Sequence, residues 1–189
     1  MKKIKALVLL MISLLFFFGC AEKVESKIKT IDDVNVEALA GYSGTYVGDN
    51  SEIGAIVKEL IGGETYDQLD LTNQQLTVSY SIETEEFRDF WYGNEKLLNE
   101  NLLYNMFYLT LLVPNAKGYT LQLPDHSLTI SRIDMMAFLE AYLEDLPSEE
   151  DFYKKDVMER YIADHYKEWT KLIQSESFQN DFYQQFPKS

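Results

Sequence analysis

Two histidines, a single cysteine and several carboxylate runs are the side chains here with chemistry to offer. His126 follows Pro124-Asp125, a turn sequence, and its ring is expected at the surface. His165 lies one helical turn before Trp169, where an imidazole packs. Neither has the HxxxH or CxxC setting of a zinc site, so no metal, cofactor or catalytic group is assigned to them. The acids fall in runs: Glu83, Glu85, Glu86 and Asp89; Glu140, Glu144 and Asp145; Glu149, Glu150 and Asp151. Glycoside hydrolysis needs two acids facing each other, and a run along one segment does not supply that. Such runs read as solvated faces and helix starts. Gly48-Asp49-Asn50-Ser51 could aim helix N–H groups at an anion, but its own side chains are the better occupants, as caps.

Cys20 has a more specific use. Lys2, Lys3 and Lys5 form a basic start, and Ala6 to Phe18 is an uncharged apolar run, too short to span a bilayer, which takes about 20 residues. The run ends in Phe17-Phe18-Gly19-Cys20, and polar sequence follows. This is the plan of a lipoprotein signal peptide, 1–19, with Cys20 as the lipid-carrying N-terminus. Phe17 and Phe18 depart from the usual Leu and small residue. The chain is therefore expected to be exported and held on the outer face of a bacterial cytoplasmic membrane by a lipid anchor on Cys20. The net charge is −14, and losing the three leader lysines makes it −17. Such a chain repels phosphate backbones, which excludes nucleic acid as a partner.

Phe87, Phe90, Trp91 and Tyr92 are four large rings within six positions, in a stretch, 83–93, expected to be a loop. Two readings stay open. Exposed aromatics supply the energy of partner contacts, and on that reading Trp91 is partly exposed. Alternatively, the i, i+3, i+4 spacing of Phe87, Phe90 and Trp91 lets one helical turn fold all three onto the core.

The elements around them follow from periodicity. Residues 20–38 are charged and weakly patterned, a tether, with Ile31, Val34 and Leu39 able to dock. Ile53, Ile56, Val57, Leu60 and Ile61 form a helical stripe that Gly62-Gly63 stops. Leu69 and Leu71, then Leu76, Val78, Tyr80 and Ile82, alternate as strands about a Thr72-Asn73-Gln74 turn. A wide stripe from Leu98 to Val113 predicts a central buried helix over about 94–113, stopped by Pro114. Tyr119, Leu121 and Leu123, then Leu128 and Ile130, predict two more strands. Ser131 opens a third helix with Asp134 three residues on, and Pro147-Ser148 opens a fourth that carries Ile162, Tyr166, Trp169 and Ile173. Short connections favour an α+β fold: an antiparallel sheet of about four strands with helices packed on one face, plus a C-terminal helical extension, 147–189. The other face would carry Thr77, Ser79, Ser81, Thr120 and Gln122, a wet face or a binding face.

Tyr46-Val47-Gly48-Asp49-Asn50-Ser51 and the helix after it resemble the opening of domain-of-unknown-function family 4825. Leu76 to Tyr80 resembles its strand ending in tyrosine, Asn101 to Leu112 its apolar helix, and Ser131-Arg132 its Thr-Arg helix start. The resemblance covers about 39–146, and the aromatic 83–93 stretch and the tail after Pro147 depart from it. It implies an extracytoplasmic domain whose relatives occur as lipoproteins or fused to membrane-embedded regulatory proteins. It implies sensing or partner binding and brings no catalytic residues. The expectation is a non-enzymatic binding or sensory module with an envelope or membrane-protein partner and Phe87, Phe90, Trp91 and Tyr92 as contact residues. The alternative is a cell-envelope enzyme of unrecognised type, for example one acting on wall glycan.

Overall fold

The computed structural model describes residues 27–189. The expected signal peptide, 1–19, and Cys20 lie outside the described residues. The helices are α1 (Val36–Ala40), α2 (Asn50–Glu59), α3 (Glu85–Tyr92), α4 (Glu95–Leu112), α5 (Arg132–Glu140), α6 (Lys155–Gln174) and α7 (Glu176–Gln185). The strands are β1 (Tyr66–Asp70), β2 (Gln75–Tyr80), β3 (Gly118–Gln122) and β4 (Ser127–Ser131), in spatial order β1-β2-β3-β4.

Helix starts are set by side chains that accept orphan N–H groups. Asp49 caps α2 through the N–H groups of Ser51 and Glu52, so the Asp49 run is occupied by its own cap. Asn94 caps α4 through Lys96 and Leu97, and Ser131 caps α5 through Asp134. Ile53, Ile56, Val57, Leu60 and Ile61 are all fully buried, as their stripe predicts.

The fold is α+β, but the sheet is mixed, which corrects the antiparallel expectation. β1 with β2 and β3 with β4 are antiparallel, whereas β2 and β3 are parallel. The cause is the connection: between β2 and β3 the chain runs through α3 and α4, and α4, 18 residues long, spans about 27 Å. That length carries the chain back to the end of the sheet where β2 began, which a parallel neighbour requires. The apolar face (Leu76, Val78, Tyr119, Leu121, Leu128, Ile130) is buried beneath helices. Thr77, Ser79, Thr120 and Gln122 face outward, and Thr120 hydrogen-bonds Thr129 across the strands at 3.0 Å.

α4 is the axis of the core, buried from Leu98 to Leu112 apart from half-buried Asn99. Two of its polar residues clamp neighbouring elements. Asn105 accepts the Ile61 N–H at 3.1 Å and donates to the Ile61 carbonyl at 2.8 Å and to the Tyr80 hydroxyl at 3.1 Å, tying the end of α2 to β2. Glu100 accepts from Gln174 of α6 at 3.1 Å.

The C-terminal segment differs from one long helix. Ser148 bonds Asp151, as its spacing suggested, but this closes a single tight turn, Asp151–Tyr153. α6 then begins at Lys155, and Ser175 ends it and caps α7. Phe152, Ile162, Trp169, Ile173, Phe178 and Phe182 are buried in the same core cluster as α4 and the sheet. Nor is all of 20–38 free. Ile28 is buried, and Lys29 bonds the Gly62 N–H, the Glu64 carboxylate, the Lys58 carbonyl and Glu59. The arm is thus clasped to the end of α2.

Candidate functional site

The aromatic stretch is a helix with a buried anchor, not a loop. Thr84 caps α3 by accepting the Phe87 N–H at 3.1 Å. Trp91 is fully buried, contrary to the expectation of partial exposure. Its ring lies 4.7 Å from that of Tyr80 and edge-on to Phe90 at 5.1 Å, and its indole N–H donates to Thr65 Oγ1 at 2.9 Å. Burial is stable because that polar atom is satisfied inside. Gly62, at φ 69°, gives the indole room: a Cβ there would lie 2.5 Å from it. Phe87, Phe90 and Tyr92 remain half-buried. The Tyr92 hydroxyl accepts the Asp125 N–H at 3.4 Å, and its ring meets half-buried His126, which is less exposed than its turn suggested. The four rings therefore split, with Trp91 in the core and Phe90 at its edge.

Phe90 lines a groove of about 370 Å³ with Ile31, Asp89, Leu97, Glu100 and Asn101. Leu97 is 47% exposed. The groove runs beside the clasped arm. The apolar stripe of α4 signalled a buried face, and Leu97 lies at its edge, so sequence reasoning did not single it out.

A second cleft, about 460 Å³, opens between α6 and the turn after α5, lined by Tyr142, Glu144, Asp145, His165, Glu168 and Trp169. His165 stacks on Trp169 at 5.5 Å, and its Nδ1 meets the Tyr161 carbonyl at 2.8 Å, which makes Nδ1 the protonated nitrogen. Packing is thus the role seen for it. Burial, with Asp145 adding to it, pushes the Tyr161 phenol up to about 12. Among the described residues no carboxylate hydrogen-bonds His165, and no three metal-binding side chains converge. The Glu83–Asp89 acids and Glu140, Glu144, Asp145, Glu149 and Glu150 are exposed, as solvated faces are.

Arg132 is buried, which its place at a helix start did not announce. Its Nη1 donates to the Thr110 carbonyl at 2.6 Å and the Tyr119 hydroxyl at 3.3 Å. The guanidinium sits 5.1 Å over the Phe152 ring. Nη2 lies 3.5 Å from exposed Glu149, an ion-pair distance outside hydrogen-bond geometry. Arg132 thereby joins the start of α5 to the segment leading into α6. A third, shallower cleft of about 330 Å³ is lined by residues 41–46 with Asp49, Glu52 and Lys155.

No curated protein and no solved structure matches the chain. A family model, Domain of unknown function (DUF4825), matches residues 39–134, which take in α2, the whole sheet, α4 and the start of α5. The chain belongs to this family.

Proposed function

We propose that the protein is a lipid-anchored extracytoplasmic binding module, non-enzymatic, that presents its Phe90–Leu97 groove to an envelope or membrane-protein partner. One observation carries this reading: a mainly apolar groove lies against the arm that leads back toward Cys20. Ten peptide steps separate Thr30, at the groove, from Cys20, a reach of at most about 36 Å. A lipid on Cys20 would hold the groove that close to the membrane surface, where a partner's extracytoplasmic end is within range. Leu97 supplies exposed apolar surface, and exposed Asp89 favours a partner with a basic flank.

The test has two arms. Cys20→Ala should leave the protein in the soluble fraction or as an unprocessed precursor, and a variant that fractionates and migrates like wild type would refute the anchor. Leu97→Asp should abolish crosslinking to the partner in native membranes while changing stability by no more than about 0.5 kcal/mol. Crosslinking that survives this change would refute the groove as the contact.

A further inference from the structure

We infer that the cleft beside Tyr46 is a subsite for a pyranose ring of a neutral glycan. Tyr46 and Tyr153 are 58% and 42% exposed, and their rings lie 5.9 Å apart at 46°. They lie far apart in the sequence; Tyr46 lines the cleft itself, and Tyr153 stands beside it as the partner of its ring. The Tyr46 turn is pinned from beneath: the Thr45 N–H donates to the Leu112 carbonyl at 3.1 Å, and the Val47 N–H to Asn115 Oδ1 at 2.7 Å. Gly44, at φ 79°, lets the backbone carrying Tyr153 come close, since a Cβ there would lie 3.1 Å from the Tyr153 carbonyl. Both rings are therefore held at the surface by rigid backbone rather than left over from the core.

The chemistry around the rings selects the ligand. Asp49 spends Oδ1 on its helix cap, leaving Oδ2, and Glu52 is exposed beside it. Lys155 also lines the cleft, its ammonium 3.7 Å from the Glu159 carboxylate and still open to solvent. Among the described residues neither the Gly44 nor the Tyr46 N–H has a partner. The cleft thus offers carboxylate acceptors together with ammonium and amide donors. An anion would meet Asp49 and Glu52, and a small cation would meet Lys155. A proline-rich strand, which also favours tyrosine-lined grooves, brings carbonyl acceptors and would leave the carboxylates without donors. A sugar hydroxyl both donates and accepts, so it satisfies every group present. The C–H face of a pyranose is apolar and suits the negative face of a tyrosine ring. A volume of about 330 Å³ is at the low end for ligand sites, a size for one or two rings rather than a long chain segment. This site does not depend on the anchor or on the Leu97 groove.

The experiment is calorimetric titration of the full chain, in phosphatidylcholine vesicles, with two probes: the tetramer of β-1,4-linked N-acetylglucosamine and cellotetraose. Saturable binding of at least one probe is expected, and Tyr46→Ala or Tyr153→Ala should each weaken it about ten-fold with an unchanged melting temperature. Tyr46→Trp should keep the binding. The inference is overturned if neither probe binds at concentrations up to about 10 mM. It is also overturned if both alanine variants bind like wild type, or if a proline-rich decapeptide binds at these tyrosines in place of the sugars.

Discussion

Trp91 and Asn105 show how single side chains decide what their neighbours can do. Trp91 combines a large buried ring with a satisfied N–H, and Thr65, its acceptor, is itself held by donating to the Gly62 carbonyl at 2.8 Å. Trp91→Ser should cost about 3–5 kcal/mol in a denaturant melt of the full chain, because it leaves a ring-sized cavity and strands Thr65. A loss below about 0.5 kcal/mol would mean the indole is not where the core needs it. The buried phenols behave consistently: burial raises the pKa of Tyr80, Tyr104 and Tyr108, so all stay neutral at physiological pH and add no charge to the core. What this residue scale leaves for binding is the half-buried edge, Phe90 with Leu97, and the two tyrosines beyond it.

Among elements, the arm at 27–33 has the most function hanging on it in the proposed reading, since it sets where the groove sits relative to the anchor. Its inner turn is held by Asp33, whose carboxylate accepts from the Thr30 hydroxyl at 2.6 Å, the Thr30 N–H at 3.1 Å and Lys27 at 3.1 Å. These bonds, those of Thr30 foremost, hold the Asp33 pKa down to about 2 from an ordinary 3.8. A carboxylate with a depressed folded pKa stabilises above its unfolded value and loses that contribution as pH falls through the folded one. The arm's turn should therefore loosen between about pH 4 and pH 2. Amide exchange at Thr30 and Asp33, corrected for intrinsic rates, should show falling protection across that window, while α4 amides stay protected. Asp33→Asn should remove the dependence, and a pH-independent arm in wild type would contradict the assignment.

For the whole molecule, the family domain and the C-terminal extension share one hydrophobic core. Trp169 meets Phe107 of α4 at 5.3 Å, Phe178 and Phe182 meet Phe138 of α5 at 5.2 and 5.3 Å, and Arg132 holds Phe152. Ser189 even pairs with Ser127 at the β4 edge through two 2.9 Å backbone bonds. Removing residues 147–189 would expose this aromatic surface at once, an area of the kind that drives aggregation. The chain ending at Leu146 should fail to give a cooperative melt and should elute as aggregate in size-exclusion chromatography. A monomeric, cooperatively melting fragment would show that the extension is dispensable.

Local elements were legible in the residues because their causes are local. The Ile53–Ile61 stripe, the Leu76–Tyr80 alternation and the caps at Asp49 and Ser131 rest on spacings of two to four residues, and the structure realises each of them. The resemblance carried by the Tyr46–Ser51 run and the elements after it led to the right family for the same reason. Four features needed the tertiary structure. The parallel pairing of β2 with β3 depends on where a long crossover returns the chain, and alternation within a strand is the same in either direction. The burial of Trp91 depends on a glycine and a threonine far from it in sequence, so an aromatic run alone reads equally as core or surface. Asn105 stands in an apolar stripe, where nothing local distinguishes a clamp from a defect. The Tyr46–Tyr153 pair exists because the extension packs back beside the turn that carries Tyr46. Periodicity tells which face of an element is apolar, but only the packed chain decides which distant element covers that face and which rings are left outside.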